Sequence, residues 1–370
     1  MRILRSRSLL AAALCVCAPI ASEASDAIDE YVTREMQSRQ IPGLAFAVVE
    51  HGQVTLVRAY GVANLETGTP VSTDSVFEIA SVTKPFTATA IMMLAEEGKL
   101  KLDDPISRYI GNVPPAWKEI TVRELLSHTS GLHSVSWVEW DDSPLLKITT
   151  KQMFDEIAKS ALDYAPGESA AYSDSGFFLL GMIIEKVSGL KYSEFMERRV
   201  FAPAGMTNTR ILDRRAIVKN HASCYELLQG QLQNDRRVWE HELPSYFGML
   251  STVGDLAKWN IALDQGRVLR RETLDQMWTP AKLKNGAPAM FDMEPYGLGW
   301  FVGDLKGHRV VAHPGFTGCI MMRFLNDDFA IIVLTNLDAT AGPHELWLAL
   351  GIAGMVRPDL ARLLEPKPSN

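Results

Sequence analysis

The sequence predicts an α+β fold in which both ends of the chain build one antiparallel sheet flanked by helices, while the middle forms a mostly helical lobe. Three observations lead there. Short β-branched and aromatic runs punctuated by Gly and Asn-Asp cluster near both ends, apolar residues recur at i, i+3, i+4 spacing in between, and no repeat or long linker separates the two patterns. With 370 residues, 47% of them apolar, the chain is long enough to bury one large core or two joined lobes. The expected sheet lobe spans about 25–78 and 290–365, the helical lobe about 79–289, and the whole of 25–370 is read as a single domain with a cleft between its lobes.

The first 24 residues differ from the rest. Arg2, Arg5 and Arg7 precede the apolar run Leu9 to Ala21, and Ser22-Glu23-Ala24 supplies small residues of the kind a signal peptidase reads. This segment is expected to be a cleaved export signal, too short to stay in a bilayer as a spanning helix, which places the mature protein in the periplasm or outside the cell with no stable membrane insertion. Cys15 and Cys17 would leave with it. Cys224 and Cys319 remain and are read as buried thiols rather than a pair.

An amphipathic helix is expected from Asp26 to Arg39, then a hairpin of Gly43–Glu50 and Val54–Val62 turning at His51-Gly52-Gln53. Helical spacing follows in Ser81–Glu97, Thr121–Ser127, Thr150–Ser160, Asp174–Val187, Ser193–Val200 and Val253–Leu263. Thr252 with Asp255 has the pattern of a capping box, and Gly189 stands where the helix from Asp174 should stop. Tyr296–Val302, Arg309–His313, Cys319–Leu325 and Phe329–Leu334 read as strands, and a last helix begins after Gly342-Pro343.

Charge narrows the partners. The net charge is −7 with both signs interspersed, so no basic stripe is available to neutralise a phosphate backbone, and nucleic acid is not expected as a partner. Neither a Cys-x-x-Cys pair nor a His-rich cluster occurs, and a turn at Ser130-Gly131 separates His128 from His133, so neither a metal nor an organic cofactor is expected. The expected partner is a small molecule or a short peptide.

One constellation carries chemistry. Ser81-Val82-Thr83-Lys84 opens a helix, and a lysine three positions after a serine lies on the same helical face, one turn away. A serine hydroxyl needs a base within hydrogen-bond reach. The positive end of the helix dipole disfavours an ammonium there and favours developing negative charge, so a dry site is expected to yield a neutral lysine able to take the proton. The four-residue pattern is short, and Ser188-Gly189-Leu190-Lys191 repeats it. That second copy lies at a helix C-terminus and is broken by Gly189, so it is read as a decoy.

The neighbours add specificity. Glu78-Ile79-Ala80-Ser81-Val82-Thr83-Lys84, Leu125-Leu126-Ser127-His128-Thr129-Ser130-Gly131-Leu132, Pro166-Gly167-Glu168, Tyr172-Ser173-Asp174 and His313-Pro314-Gly315 occur in one fixed order. Together they resemble the penicillin-binding-protein and class C β-lactamase-like serine hydrolases, which include esterases, D-aminopeptidases and D-alanyl-D-alanine carboxypeptidases. The resemblance extends over nearly the whole mature chain, including Phe247-Gly248-Met249-Leu250-Ser251-Thr252 and Val333-Leu334-Thr335-Asn336. It implies a β-lactamase/transpeptidase-like fold and an acyl-enzyme on Ser81, with Lys84 and Tyr172 as catalytic proton-transfer partners and Lys84 holding the Tyr172 phenol down in pKa. Asp174, His313, Gly315 and Phe316 are then the substrate-binding residues.

Two positions depart from the family. Asp174 replaces the usual asparagine, and an ionised aspartate only accepts hydrogen bonds, so it would hold Lys84 more strongly as an ammonium; capping the next helix is its alternative role. His313-Pro314-Gly315 stands where β-lactamases carry Lys-Thr-Gly, and a mostly neutral histidine grips a substrate carboxylate less well than lysine. Gly315 is expected to let substrate backbone approach the strand, Pro314 to mark an edge strand, and the Phe316 N–H to form an oxyanion hole with that of Ser81. Glu168 is read as a turn residue, and Ser127, His128, Thr129 and Ser130 as structural. No Gly-x-Ser-x-Gly elbow and no His-Glu-x-x-His is present. Small esters or amides are the favoured substrates, with a D-amino-acid peptidase or β-lactamase as alternative, and a silent binding or sensor protein on the same fold as a second.

Overall fold

The computed structural model describes residues 20–135, 147–235, 240–291 and 294–360. Residues 1–19 of the expected export signal, with Cys15 and Cys17, lie outside the described residues, as do the last residues of the expected sheet lobe beyond 360. Seven strands form one antiparallel sheet: β1 (Gly43–Glu50), β2 (Gln53–Asn64), β3 (Thr69–Pro70), β4 (Phe301–Leu305), β5 (His308–Gly315), β6 (Cys319–Phe324) and β7 (Phe329–Thr335). Their order is β4-β5-β6-β7-β1-β2-β3, so the two ends of the chain meet where β1 pairs β7, Leu44 opposite Thr335.

The β1–β2 turn is set by two left-handed residues, His51 (φ 49°) and Gly52 (φ 71°), which match the twist of a two-residue hairpin. Alternation then sorts the side chains. Leu44, Phe46, Val48, Ile331 and Val333 face α1 (Ile20–Arg39) and the C-terminal helix His344–Val356, whereas Ala45, Ala47, Ile332, Leu334 and Met321 face the helical lobe.

That lobe holds α2 (Thr83–Glu96), α3 (Val122–Leu126), α4 (Thr150–Lys159), α5 (Asp174–Ser188), α6 (Tyr192–Phe195), α7 (Val253–Asp264) and α8 (Arg271–Met277), and the C-terminal helix His344–Val356 is α9. α2 is buried on nearly every side, as expected of a helix apolar all round. Thr121 and Thr149 each form a full capping box, with Glu124 and Gln152. The box expected at Thr252 is half made: its hydroxyl accepts from the Asp255 N–H, while the Asp255 carboxylate turns to the Asn208 N–H and Lys258.

Four local expectations need correction. The run from Ser81 is not α-helical at its start, because Ala80 takes φ 42° and Ala80–Val82 makes a 3-10 turn before α2 begins at Thr83. Tyr296–Val302 is not a strand: Gly297 to Trp300 turn to dock on the helical lobe, and a Cβ at Gly299 would lie 2.5 Å from that of Ala88. The helix of Ser193–Val200 is α6 followed by a π-helical turn, Met196–Phe201. β5 is an interior strand, yet β4 ends opposite Ala312, so His313, Pro314 and Gly315 run on with a neighbour on one side alone. Pro314, which has no N–H to offer, sits where none is needed.

Cys224 and Cys319 form no disulfide, and the Cys319 thiol is buried against Thr317 and the Glu78 carbonyl, its pKa pushed up to about 12 by burial. Among the described residues, no helix is long and apolar enough to cross a membrane.

Candidate active site

A short second sheet positions Ser81. Phe77–Glu78 pairs antiparallel with Met249–Ser251, and the Ile79 N–H then donates to the Met249 carbonyl at 3.0 Å. The chain next bends through the left-handed Ala80, a conformation that costs about 1–3 kcal/mol in a non-glycine residue and clusters at functional sites. Ser81 is thereby lifted onto the wall of a hollow of about 360 Å³ shared with Tyr172, His313, Gly315 and Phe316.

Lys84 lies one turn on and is fully buried. Its Nζ donates to Ser81 Oγ at 3.1 Å and to the Tyr246 carbonyl at 2.9 Å, pairs with Asp174 Oδ1 at 2.7 Å, and stands 4.6 Å from the centre of the Tyr172 ring. Burial opposes charge on Lys84 most strongly, but Asp174 and Tyr172 outweigh it and its pKa is raised. The neutral lysine expected from helix dipole and dryness is therefore corrected. A carboxylate at contact distance holds the ammonium, as the sequence reading of Asp174 anticipated.

Asp174 opens α5, but Ser173 is the cap, its hydroxyl accepting from the Gly176 N–H. The Asp174 carboxylate is thus free of capping and turns to Lys84, while its backbone N–H donates to Ser134 Oγ at 3.0 Å. Tyr172 precedes the cap, and its phenol is close enough to both Lys84 and Ser81 for each to lower its pKa. Burial raises its pKa, Lys84 lowers it, Asp174 raises it again, and the net direction is up. Lys84 thus does pull the phenol down, as expected, but burial outweighs it, and at rest the group is a neutral phenol.

The ring of His313 lines the hollow, but its nitrogens are committed. Nε2 meets the Tyr296 hydroxyl at 3.0 Å and Nδ1 the Pro314 carbonyl at 2.8 Å, and burial, with Lys84 nearby, pushes its pKa down to about 3. An uncharged, fully engaged imidazole offers a substrate carboxylate nothing, so the expected weak grip becomes a packing surface. Gly315 also has another reason to be glycine. A Cβ there would sit 2.3 Å from the Ile79 carbonyl, so the close approach of the backbone carrying Ser81 by itself requires a glycine. Phe316 borders the hollow and its carbonyl accepts from the Ala339 N–H at 2.7 Å.

His128, read from sequence as structural, supports Tyr172. Its ring lies 4.4 Å from the phenol ring at 32°, and Nδ1 accepts from the Ser173 N–H at 3.1 Å. Burial first, then Lys84 and His313, keep it neutral; its buried Nε2 has no hydrogen-bond partner among the described residues. Glu168 is exposed in a turn, its N–H on the Ala165 carbonyl, in keeping with its reading.

Sequence reasoning missed Tyr246 and Tyr296. Tyr246 acts through a backbone carbonyl, which no side-chain pattern reveals, and Tyr296 was assigned to a strand.

Residues 28–353 match the Beta-lactamase family. The chain belongs to that family. Its members are serine hydrolases. Penicillin-binding protein 4* of Bacillus subtilis (strain 168) is 30% identical over 324 residues, covering 81% of this chain and 69% of its own. Protein flp of Staphylococcus aureus (strain N315) is 28% identical over 340 residues, covering 88% and 65%. The chain thus spans about two thirds of the length of these curated relatives. Among solved structures, the octameric penicillin-binding protein homologue from Pyrococcus abyssi superposes with a TM-score of 0.77 at 27% identity, over 90% of this chain and 77% of that one. D-amino acid amidase from Ochrobactrum anthropi SV3 in complex with L-phenylalanine gives 0.77 at 25%, over 92% and 98%. EstCE1, described as a hydrolase with promiscuous acyltransferase activity, shares the fold at 0.75 and 21% identity, over 91% and 99%.

Proposed function

We propose that this serine hydrolase cleaves small esters or amides through an acyl-enzyme on Ser81, with 25–370 acting as one catalytic unit exported behind a removable leader. The observation that carries the reading is the convergence of an amine and a phenol on one hydroxyl, with Lys84 Nζ 3.1 Å from Ser81 Oγ.

An ammonium cannot accept the serine proton. Loss of the ammonium proton leaves an amine beside Ser81 Oγ, and that amine takes the hydroxyl proton as Oγ bonds to the substrate carbonyl carbon. The neutral Tyr172 phenol then gives its proton to the leaving alcohol or amine and is reprotonated by Lys84. Water retraces the sequence to release the acid and restore the free Ser81 hydroxyl. Backbone N–H groups at Ser81 and Phe316 are assigned the oxyanion.

The described residues lining the hollow include no lysine or arginine, and burial keeps His313 uncharged, so they offer a substrate carboxylate no cation. This favours neutral esters and amides over β-lactams and D-alanyl-D-alanine stems. The names of the amidase and penicillin-binding relatives keep D-amino-acid amides and peptides as the second reading. Rates on p-nitrophenyl esters, D-amino-acid amides, D-alanyl peptides and nitrocefin decide between them, and faster turnover of nitrocefin than of any ester would reverse the ranking. Labelling by a fluorescent fluorophosphonate, lost on Ser81→Ala, separates an enzyme from a silent binder.

A further inference from the structure

A second hollow adjoins the first. α9 packs on β6 and β7, which leaves the same face of β4 and β5 uncovered beyond it. There the strand alternation turns Val310 and Ala312 outward, opposite to Val311 and His313, and with Phe301, Leu305, Ile320 and Leu346 they line a cavity of about 280 Å³. Its walls are almost wholly apolar and carry no basic group among the described residues; Glu294 and Glu345 are the acids among them.

Phe301, Pro314, Pro343 and Glu345 line this cavity and also the hollow at Ser81, so the two share a rim. Pro314 has a neighbouring strand on one side alone, which leaves the other side of the rim without a strand across it. A substrate with its carbonyl at Ser81 can lay an uncharged tail over the rim.

We infer that the cavity between α9 and the β4–β5 edge is a subsite for an apolar arm of the ester or amide substrate, selecting medium-length alkyl or aryl-alkyl groups over short ones. The inference rests on Ser81 as nucleophile. Continuity with the Ser81 hollow, a lining without cations, and a volume near the lower bound of ligand pockets, roughly 300 Å³, together favour an uncharged arm. Burial of a methylene raises kcat/KM by up to about fourfold; a groove open on one side realises about half of that free energy, about twofold per methylene, or roughly fifteenfold from butanoate to octanoate.

The test uses p-nitrophenyl acetate, butanoate and octanoate with a parallel series of ethyl, butyl and octyl acetates, on the purified full-length protein and on Ala312→Phe, Gly303→Val, Leu346→Ala and Ser81→Ala. Ala312→Phe fills the cavity from its floor. Gly303→Val is the independent filler, since a Cβ there meets only the flexible end of Glu294, at 3.1 Å. The expected result is a rise in kcat/KM with chain length in one of the two series, abolished by either filler while acetate turnover stays within about twofold, and extended to longer chains by Leu346→Ala. Ser81-dependent turnover that is indifferent to chain length in both series, or a preference untouched by both fillers, overturns the subsite alone. Turnover that survives Ser81→Ala overturns the nucleophile and the subsite with it.

Discussion

The chain carries the same four-residue pattern twice, and the two copies share almost nothing in space. At Ser81 the hydroxyl lines a hollow and its lysine is fully buried, held by a hydroxyl, a carbonyl and a carboxylate. At Ser188 the hydroxyl is turned back onto the Ile184 carbonyl at 2.6 Å, and Lys191 stands 74% exposed, 3.7 Å from Glu185. Gly189, left-handed at φ 73°, ends α5 between them. A serine and a lysine three apart are therefore no site in themselves. What makes one is burial that removes water's competition, together with partners drawn from elsewhere in the chain.

Paired substitutions test that contrast. Ser81→Ala should reduce kcat on the best ester by ~10⁴-fold or more, whereas Ser188→Ala should leave it within about twofold, measured as initial rates on folded protein. Lys84→Ala should cost ~10³-fold and Lys191→Ala nothing measurable; equal losses would erase the distinction between the copies. Tyr172→Phe keeps the ring against His128 but removes the proton carrier, with an expected loss of ~10²-fold, larger for amides than for activated phenyl esters, whose leaving groups need no proton.

Asp174→Asn sharpens the electrostatic side of the comparison. Asp174 raises the Lys84 pKa, so the variant's amine should appear at lower pH and the rising limb of the kcat/KM profile should move down by about one unit or more. A superimposable profile would mean that Asp174 does not set the charge of Lys84.

Glu345 is a buried carboxyl whose Oε2 has no hydrogen-bond partner among the described residues. Burial pushes its carboxyl up to about 7 from 4.5, against a smaller pull from its own backbone. Around it stand His344, whose Nδ1 is 4.0 Å from Oε2 and which burial keeps uncharged near neutral pH, Glu294 across the cavity, and the un-ionised Cys319 thiol. Because the folded-state value lies above the unfolded one, folding is free of this cost below about 4.5 and bears it fully above about 7. Glu345→Gln should therefore raise Tm at pH 8 by a few degrees and leave it nearly unchanged at pH 4.5. An equal gain at both pH values would locate the effect in packing.

Much of the sheet was legible because its signals are local. Gly43–Glu50 came out at its observed bounds, and three strands of the other end, Arg309–His313, Cys319–Leu325 and Phe329–Leu334, within about two residues, since alternation and turn residues lie inside the strands they define. The site was legible in its side chains and not in its charges. Lys84, Tyr172 and Asp174 converge as the family resemblance implied, but the net charge shifts of Lys84 and Tyr172 depend on distances that only folding sets. The Tyr246 carbonyl, 162 positions from Lys84, leaves no mark on side-chain chemistry. His313 likewise reads as a binding group until Tyr296, 17 positions earlier, is seen to occupy its outer nitrogen. Ala80 is an ordinary alanine in sequence, and its left-handed backbone is imposed by the pairing of Phe77–Glu78 on one side and the start of α2 on the other.

The contact at Gly315 has a wider consequence. Main chain rests on main chain there, with no room for even a methyl group between the strand and the turn that carries Ser81, so the spacing of the two is independent of side-chain choice. Drift in the surrounding walls can retune which molecules enter while the alignment of hydroxyl and strand stays fixed, and one framework can thereby change clientele without being rebuilt.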